Sequence, residues 1–422
     1  MEKILRSAEK FIPKKIYSLL QPVYHFVLAA TGTLIYRKPS RHLYVIAVTG
    51  TKGKSSTTEF INSILEASGK KTAILSTIRF KIGEHSSPNK YKMTTPGRFF
   101  TQKFLHDAKK TKCDYAIIEM TSEAARFYRH IGIEMDALIF TNLSPEHIES
   151  HGSFEKYKAA KLRLVKHLAK STKKERIAIA NLDNKHGTSF LIHPIEKNRG
   201  YSLRDVHILS ETTSGSTFVY KDETFTIPLP GKFNISNALA ALTLATELGI
   251  TLEDASRGLA SLTKIRGRVE KIECGQNFTV VVDYAHTDDS LRKLYEAFPS
   301  TRKIAVLGST GGGRDSWKRP VLGTIADELC DEIIITNEDP YDEDPMKIIS
   351  DVASGVVTHT PTIIINRREA IHHAFTVAHE GDVVLITGKG TDPYIMGPHG
   401  RKEAWDDATV AREELEKILT DR

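Results

Sequence analysis

Lys54 and Ser55 close a Gly-Thr-Lys-Gly-Lys-Ser run that follows an apolar, β-branched stretch. The order Val45-Ile46-Ala47-Val48-Thr49-Gly50-Thr51-Lys52-Gly53-Lys54-Ser55-Ser56 predicts a buried strand, a glycine turn and a helix over Thr57–Ala67. That junction suits a phosphate. Glycines let backbone N–H groups close on the anion, and the helix N-terminus adds its dipole. Lys54 would reach the terminal phosphates, and the Ser55 hydroxyl would ligate Mg2+. A full Walker pattern has a glycine where Val48 stands, so the match is to the shorter form. Gly50, Thr51, Lys52, Gly53, Lys54, Ser55 and Ser56 are thus the expected nucleotide loop, against the alternative of an ordinary glycine turn in an α/β protein.

Other residues are ordinary singly and interesting by position. Glu119 ends the strand Tyr115–Ile118 and could hold Mg2+ beside the loop, or simply face solvent. His147 follows Phe140-Thr141-Asn142-Leu143-Ser144-Pro145-Glu146; it could ligate a metal or be a surface loop histidine. Lys161 falls inside the helical stripe Phe154, Tyr157, Leu164, Leu168. A lysine there must be paired, neutralised or snorkelling. One use of a neutral amine is carbamylation by CO2, which creates an anionic oxygen ligand; snorkelling is the plainer alternative. In the second half, Asn234 and Asn237 open a helix, Arg266 and Arg268 flank Gly267, and Asp283 leads into Tyr284-Ala285-His286. Together they place polar groups where a nucleotide between two domains would need them.

The elements that must position these groups alternate in type. Apolar runs at Tyr44–Val48, Ala73–Ser76, Tyr115–Met120, Ala137–Thr141 and Arg176–Ala180 read as strands separated by helices, the signature of a parallel sheet. Gly215–Pro230 alternates more tightly and predicts a β-hairpin annex, followed by helices Ile235–Leu248 and Leu252–Leu262. A second α/β series begins near Arg266, with strands at Thr279–Asp283, Lys303–Leu307, Glu332–Thr336, Thr362–Asn366 and Asp382–Ile386 and a last helix Asp406–Leu419. Its Gly308-Ser309-Thr310-Gly311-Gly312-Gly313 run lacks dinucleotide-binding spacing. The expected organisation is an α/β chain: a short helical N-terminal segment (1–42), a central P-loop ATPase domain with a parallel-rich sheet (43–264), and a C-terminal Rossmann-like domain (265–422).

At 422 residues and 26% charged, the chain is of ordinary globular composition. Its net charge of +7 is mild, and Lys and Arg are spread along the chain rather than gathered in a nucleic-acid-binding stripe. Cys113, Cys274 and Cys330 are isolated, which suits a reducing, cytoplasmic setting. Residues 1–42 are basic and amphipathic, and their apolar stretch Val23–Tyr36 is too short to span a bilayer. They read as a helical cap on the first domain; the alternative is a segment resting on an anionic membrane through Lys3, Arg6, Lys10, Lys14 and Lys15.

These motifs in combination resemble the Mur ligases, most closely the MurE type, from about Leu43 to Leu415. The resemblance is carried by Gly50–Ser55, Thr94-Thr95-Pro96, Phe140 through His151-Gly152, Lys161, Phe233-Asn234-Ile235-Ser236-Asn237, Gly267-Arg268-Val269-Glu270, Asp283 through Thr287, Gly312 through Pro320, Asp339-Pro340, Gly388-Lys389-Gly390 and Trp405-Asp406-Asp407. It implies ATP-dependent amide synthesis on a UDP-N-acetylmuramoyl peptide, through an acyl phosphate attacked by an amino acid's amine, in peptidoglycan precursor synthesis. It implies ATP, two Mg2+ ions and CO2 for carbamylation of Lys161, with Lys54, Glu119, His147 and Lys161 catalytic. Ser55, Glu119, His147 and carbamylated Lys161 would be the metal ligands. Asn237, Arg268, Asp283 and His286 would join the loop in binding ATP. Thr94, Thr95, Thr121 and Arg129 would hold the muramoyl peptide. Arg314, Asp339, Tyr341, Asp342, Gly388 and Asp392 would hold the amino acid. The partners implied are these small molecules, acting on a monomer.

Three departures stand out. The family's uridine-binding domain is longer than residues 1–42, which leaves room for a lipid-linked or otherwise unusual donor. The diaminopimelate-selecting Asp-Asn-Pro-Arg reads Glu338-Asp339-Pro340-Tyr341, and the acids Glu338, Asp339, Asp342, Glu343 and Asp344 lean toward L-lysine or a similar diamine, or form a solvated loop. The family's Gly-Lys-Gly-His-Glu reads Gly388-Lys389-Gly390-Thr391-Asp392. The rivals are a folylpolyglutamate-synthase-like ligase, a non-catalytic nucleotide-binding scaffold, and a plain P-loop kinase or GTPase.

Overall fold

The computed structural model describes residues 24, 27–146 and 148–420 of the 422. The expectations for His147 and for Lys3, Arg6, Lys10, Lys14 and Lys15 therefore lie outside the described residues. The chain divides into two compact units that interleave in sequence. The first takes the chain to Gly50, then Gly69–Asn142 and Glu155–Gly200; the second takes Thr51–Ser68, Leu143–Phe154 and everything from Tyr201.

The first unit is built on an eight-stranded sheet. Its strands are β1 (Tyr44–Thr49), β2 (Thr72–Leu75), β3 (Arg79–Ile82), β4 (His85–Pro88), β5 (Tyr115–Glu119), β6 (Ala137–Phe140), β7 (Ile177–Asn181) and β8 (Lys197–Tyr201), in the order β4-β3-β2-β5-β1-β6-β7-β8. From β2 to β7 the pairing is parallel, and β3 and β4 add antiparallel. The central strands are rich in Val, Ile and Ala and, apart from half-buried Tyr44 and Tyr115 at two strand starts, are buried, as a sheet covered on both faces requires. Register does the positioning. Val48 lies opposite Glu119 and Thr49 opposite Phe140, so the C-terminal ends of β5, β1 and β6 sit side by side. Residues 27–35 are helical, as expected for the N-terminal segment, and turn their small residues Ala29, Gly32 and Thr33 inward.

The second unit holds a three-stranded antiparallel sheet, β9 (His207–Thr212), β10 (Gly215–Tyr220) and β11 (Glu223–Ile227), where a two-stranded annex was expected. The added strand β9 is almost entirely exposed, so no alternation marks it in the sequence. Its six-stranded sheet comprises β12 (Glu270–Ile272), β13 (Thr279–Asp283), β14 (Lys303–Leu307), β15 (Glu332–Ile335), β16 (Thr362–Ile363) and β17 (Val383–Thr387), in the order β12-β13-β17-β14-β15-β16. All but β12 run parallel. Alternate residues feed two cores. Val281, Ala305, Leu307, Ile333, Ile335 and Leu385 pack with Leu291, Leu294, Leu322 and Ile349 on one face. Val280, Val282, Ile304, Val306, Ile334 and Ile386 pack with Ile371, Phe375, Val410 and Leu415 on the other. A small hairpin, β18 (Tyr394–Met396) and β19 (Lys402–Ala404), precedes the last helix, Asp407–Thr420. Among the described residues no helix is long and apolar enough to cross a membrane.

Candidate active site

In the first unit the chain end of β1 is shaped by Gly50. A Cβ there would lie 1.9 Å from Thr141 Oγ1 and 3.1 Å from the Asn142 amide nitrogen, so only glycine lets the backbone pass this close to the end of β6. Lys161, 1% exposed, donates from Nζ to the Gly50 carbonyl at 2.7 Å and sits 4.9 Å from the Tyr157 ring centre. The amine thus does not snorkel to solvent. It lies buried against the first residue of the glycine loop, brought there by the helix Phe154–Leu168.

Glu119, wholly buried, ends β5 one strand away. Its carboxylate accepts from the Thr77 amide at 3.2 Å and the Thr77 hydroxyl at 2.9 Å, which leaves a further lone pair on each oxygen. The Thr77 hydroxyl also meets that of Thr94 at 2.8 Å, and Thr95 Oγ1 donates to the Glu119 carbonyl at 2.8 Å. Arg129 Nη1 donates to the Thr95 carbonyl. Thr121 caps the helix Ser122–Arg126 by accepting from the Ala124 amide at 3.0 Å. The four residues expected to hold the acyl donor are therefore gathered around one strand end, with Thr77 as a further member. Its only sequence signal is a Ser76-Thr77 pair following the apolar strand β2.

In the second unit the loop passes into the helix Lys54–Ala67, three residues earlier than expected. Gly53 precedes it with φ +80°, and a Cβ there would meet Asn237 Oδ1 at 2.3 Å. Asn237 Oδ1 accepts from Thr57 Oγ1 at 3.4 Å, which ties the helix Lys232–Glu247 to the loop. Lys54 folds back so that Nζ donates to the Thr51 carbonyl at 2.8 Å, and Ser55 and Ser56 are buried. The Thr51 hydroxyl accepts from the Ser144 amide at 3.1 Å.

Lys52 reaches away from this turn. Its Nζ lies 3.0 Å from Glu146 Oε1 and 3.4 Å from His286 Nε2. His286 Nδ1 lies 2.6 Å from the Tyr284 carbonyl, which makes it the donor nitrogen. Burial first, and then Lys52, hold His286 down to about 4, so Nε2 carries a lone pair for the Lys52 ammonium. Burial lowers Lys52 as well, and Glu146 opposes that shift. Glu146 was absent from the expected site; its only sequence signal is its place before His147. Arg268 stacks 4.6 Å from the Tyr284 ring centre. Asp283 accepts from the Val269 and Ala285 amides at 2.7 and 2.6 Å, and burial raises its pKa from its ordinary value against the pull of Arg268.

The expected amino-acid residues lie at the C-terminal ends of the six-stranded sheet. Arg314 stacks 4.9 Å from the Tyr341 ring centre. Gly388 has φ +103°, and a Cβ there would fall 2.4 Å from Glu338 Oε2. Glu338, 4% exposed, accepts from Thr310 Oγ1 at 2.6 Å, while its Oε2 has no partner among the described residues. The acidic loop is otherwise committed internally. Asp339 accepts from Lys389 Nζ and the Met396 amide, both at 2.8 Å. Asp392 also lies 3.3 Å from Lys389. Glu343 pairs with buried Arg319 at 2.7 Å, Asp344 caps the helix Pro345–Ala353, and exposed Asp342 accepts from the His399 amide. Asp342 and Asp344 are exposed, as a solvated loop would have them, whereas Asp339 and Glu343 are held in internal pairs and Glu338 keeps a buried oxygen without a partner among the described residues.

The donor chemistry suits the implied ligands. Gly53 leads the loop into the N-terminus of the helix Lys54–Ala67, where backbone N–H groups and the helix dipole suit a phosphate. Ser55 and Glu119 are hard oxygen donors of the kind Mg2+ takes. Among the described residues no group of three or more His, Cys, Asp and Glu could by itself hold a metal ion.

Comparison with known proteins agrees with this geometry. The family described as Mur ligase middle domain matches residues 48–245, and that described as Mur ligase, glutamate ligase domain matches residues 267–390. The chain is 38% identical over 430 residues to the UDP-N-acetylmuramyl-tripeptide synthetase of Roseiflexus sp. (strain RS-1), covering 95% of this chain and 84% of that protein. It is 36% identical over 415 residues to the UDP-N-acetylmuramoyl-L-alanyl-D-glutamate--2,6-diaminopimelate ligase of Syntrophomonas wolfei subsp. wolfei, covering 94% and 83%. A solved structure of a UDP-N-acetylmuramoyl-L-alanyl-D-glutamate--2,6-diaminopimelate ligase superposes with a TM-score of 0.61 at 30% identity, covering 89% of this chain and 79% of that one. The folylpolyglutamate synthase of Mycobacterium tuberculosis superposes with a TM-score of 0.66 at 14% identity, over 97% and 98% of the two chains, and shares the fold alone. Both matched domains stand in order along the chain and the identity extends over most of its relatives' length: the chain belongs to the Mur ligase family, among its MurE-type members.

Proposed function

We propose that this protein adds an amino acid to a UDP-N-acetylmuramoyl dipeptide in peptidoglycan precursor synthesis, with ATP converted to ADP and phosphate. The observation that carries the reading is the burial of Lys161 against the Gly50 carbonyl, at the start of the phosphate loop. Residues 43–264 serve as the ATP-binding domain and 265–422 as the amino-acid-binding domain.

The reaction joins anions, so cations and N–H donors must dominate. The donor carboxylate attacks the γ-phosphorus of ATP, and ADP departs. The amino acid's amine then attacks the acyl carbon, loses a proton, and phosphate leaves. The loop Gly50–Ser56 binds the phosphates, with Lys54 countering their charge. Thr94, Thr95, Thr121 and Arg129 orient the donor carboxylate. Ser55, Glu119 and His147 would hold Mg2+, joined by Lys161 if its amine adds to CO2 and loses a proton. Mg2+ supplies charge neutralisation at the phosphates. Asn237, Arg268, Asp283 and His286 hold the nucleoside side, with Glu146 fixing Lys52. Arg314 takes the amino acid's carboxylate, and Asp339, Tyr341, Asp342, Gly388 and Asp392 shape its pocket.

L-lysine or a similar diamine remains the proposed acceptor, now resting on Glu338 Oε2 and on the absence of an arginine at Tyr341. The diaminopimelate named for relatives such as that of Syntrophomonas wolfei is the second reading. The test is ADP release with Mg-ATP, UDP-N-acetylmuramoyl-L-alanyl-D-glutamate, bicarbonate and a panel of amino acids, with the product identified by mass spectrometry. Turnover with one amino acid is expected. ATP binding without turnover on any of them would favour the scaffold reading.

A further inference from the structure

The helix over 27–35 is amphipathic in the inverted sense. The face it turns into the first unit is small: Ala29 is 1% exposed, and Gly32 lets Phe99 and Gln102 approach to 3.6 and 3.7 Å of where its Cβ would be. Thr33 lies against Gly132 and bonds the Ala29 carbonyl at 2.7 Å. The large apolar residues point outward. Val27 is 53% exposed, Leu34 68% and Ile35 61%. Positions 27, 31, 34 and 35 form one helical stripe. Its polar member, Thr31, turns its hydroxyl back onto the Val27 carbonyl at 2.8 Å. A water-facing helix has no use for this arrangement, because the aliphatic side chains available for burial are left in water.

Charge points to what covers the stripe. Residues 1–42 contain eight Lys or Arg and two Asp or Glu, so they carry six of the chain's seven net positive charges. The Lys and Arg are indeed spread along the chain, but beyond residue 42 acids almost balance them. Arg37, Lys38 and Arg41 are exposed just past the stripe, after Tyr36, where two successive left-handed residues (φ 56° and 50°) end the helix. A second copy of this face would oppose cation to cation, and folding back residues 1–23 would bring Lys3, Arg6, Lys10, Lys14 and Lys15 to the same cations. An anionic lipid surface is complementary both to the apolar stripe and to the cations beside it.

We propose that residues 27–41 dock this chain on an anionic lipid surface, with Val27, Leu34 and Ile35 in the headgroup–acyl boundary and Arg37, Lys38 and Arg41 at the headgroups. The chain rests on the bilayer rather than crossing it. The docking leaves the ligase machinery untouched, so its test is independent of the proposed reaction.

The test is flotation of the full chain with vesicles of phosphatidylcholine alone or mixed with phosphatidylglycerol. Flotation is expected on the anionic vesicles only, with loss as salt rises from about 0.1 M to about 1 M and the screening length falls from about 10 to about 3 Å. Leu34→Glu with Ile35→Glu should abolish it. Arg37→Gln with Lys38→Gln should weaken partitioning roughly 25-fold, at about fivefold per cation. All four positions are exposed, so both variants should keep the wild-type melting temperature. The proposal is overturned if the wild-type chain stays with neither vesicle or floats equally on both. It is also overturned if light scattering finds a dimer that Leu34→Glu with Ile35→Glu dissolves while flotation persists, since a second copy would then cover the stripe.

Discussion

Gly53→Ala offers a quantitative test of how the phosphate loop is held. The native backbone has φ +80° at this position, and an alanine there costs about 1–2 kcal/mol in left-handed strain. The new Cβ would also stand 2.3 Å from Asn237 Oδ1 and 3.2 Å from Asn237 Cγ. The amide must move, because Asn237 is buried in the helix Lys232–Glu247 and cannot simply swing into water. Moving it breaks the 3.4 Å bond from Thr57 Oγ1, worth about 1 kcal/mol, and leaves a buried polar group to resettle. The single substitution should therefore cost about 2–4 kcal/mol. Asn237→Ala alone should cost about 1 kcal/mol for the lost bond. The double variant keeps the strain and loses the clash, so its cost should fall short of the sum by about 1–2 kcal/mol. The assay is urea unfolding of the nucleotide-free protein followed by far-UV circular dichroism, with matched slopes across the four proteins. Additivity within about 0.5 kcal/mol would mean that the loop and the asparagine do not compete for one space.

Lys161→Met should lower ligase turnover by about 100-fold or more while the protein stays folded, because a thioether fills the buried space but cannot become a carbamate. Wild-type activity should decline in CO2-free buffer and return with bicarbonate; indifference to bicarbonate would count against carbamylation. Arg367→Met should cost about 3–5 kcal/mol in urea unfolding, because it strands Asp407, whose oxygens take Arg367 at 2.8 and 2.7 Å and which is 0% exposed. Adding Asp407→Leu should recover much of that loss, and no recovery would show that the cost is not the stranded charge. His130 is buried against His167, and burial pushes it down to about 3. The unfolded chain therefore takes up a proton near pH 6.5 that the folded chain refuses. The neutral form's stabilisation is intact above pH 6.5 and is lost progressively as pH falls from 6.5 toward 3, by about 2 kcal/mol between pH 7 and pH 5. His130→Gln should flatten that part of the urea-midpoint profile, and an unchanged slope would exclude His130 as its source.

Most of the fold was legible because each central strand is an unbroken apolar run between helical patterns. Strands buried on both faces leave that signature wherever they lie. The exceptions have two causes. β3, β4, β8, β9 and β19 are edge or hairpin strands with partly or largely exposed residues, so no apolar run announces them, and β12 and β18 are more buried but only three residues long, too short to show a pattern. The helix Lys54–Ala67 began earlier than its apolar pattern, since its first turn, Lys54-Ser55-Ser56, carries no apolar residue.

What the sequence determined by itself was the chemistry on offer: a glycine loop before Lys-Ser, a carboxylate at a strand end, a lysine inside an apolar stripe, and the motif set of a Mur ligase. Those features are local, set by spacing within one element and its turn. What the tertiary structure alone decided was how those groups are used. Register placed Glu119 beside Val48, and folding brought Thr77 to Glu119, Glu146 to Lys52, and Lys161 to Gly50 across 111 positions of sequence. It also consumed most of the acidic loop in internal pairs and turned the large side chains of the helix over 27–35 outward. Such outcomes depend on which groups compete for one partner at one point in space, and no periodicity along the chain records that competition.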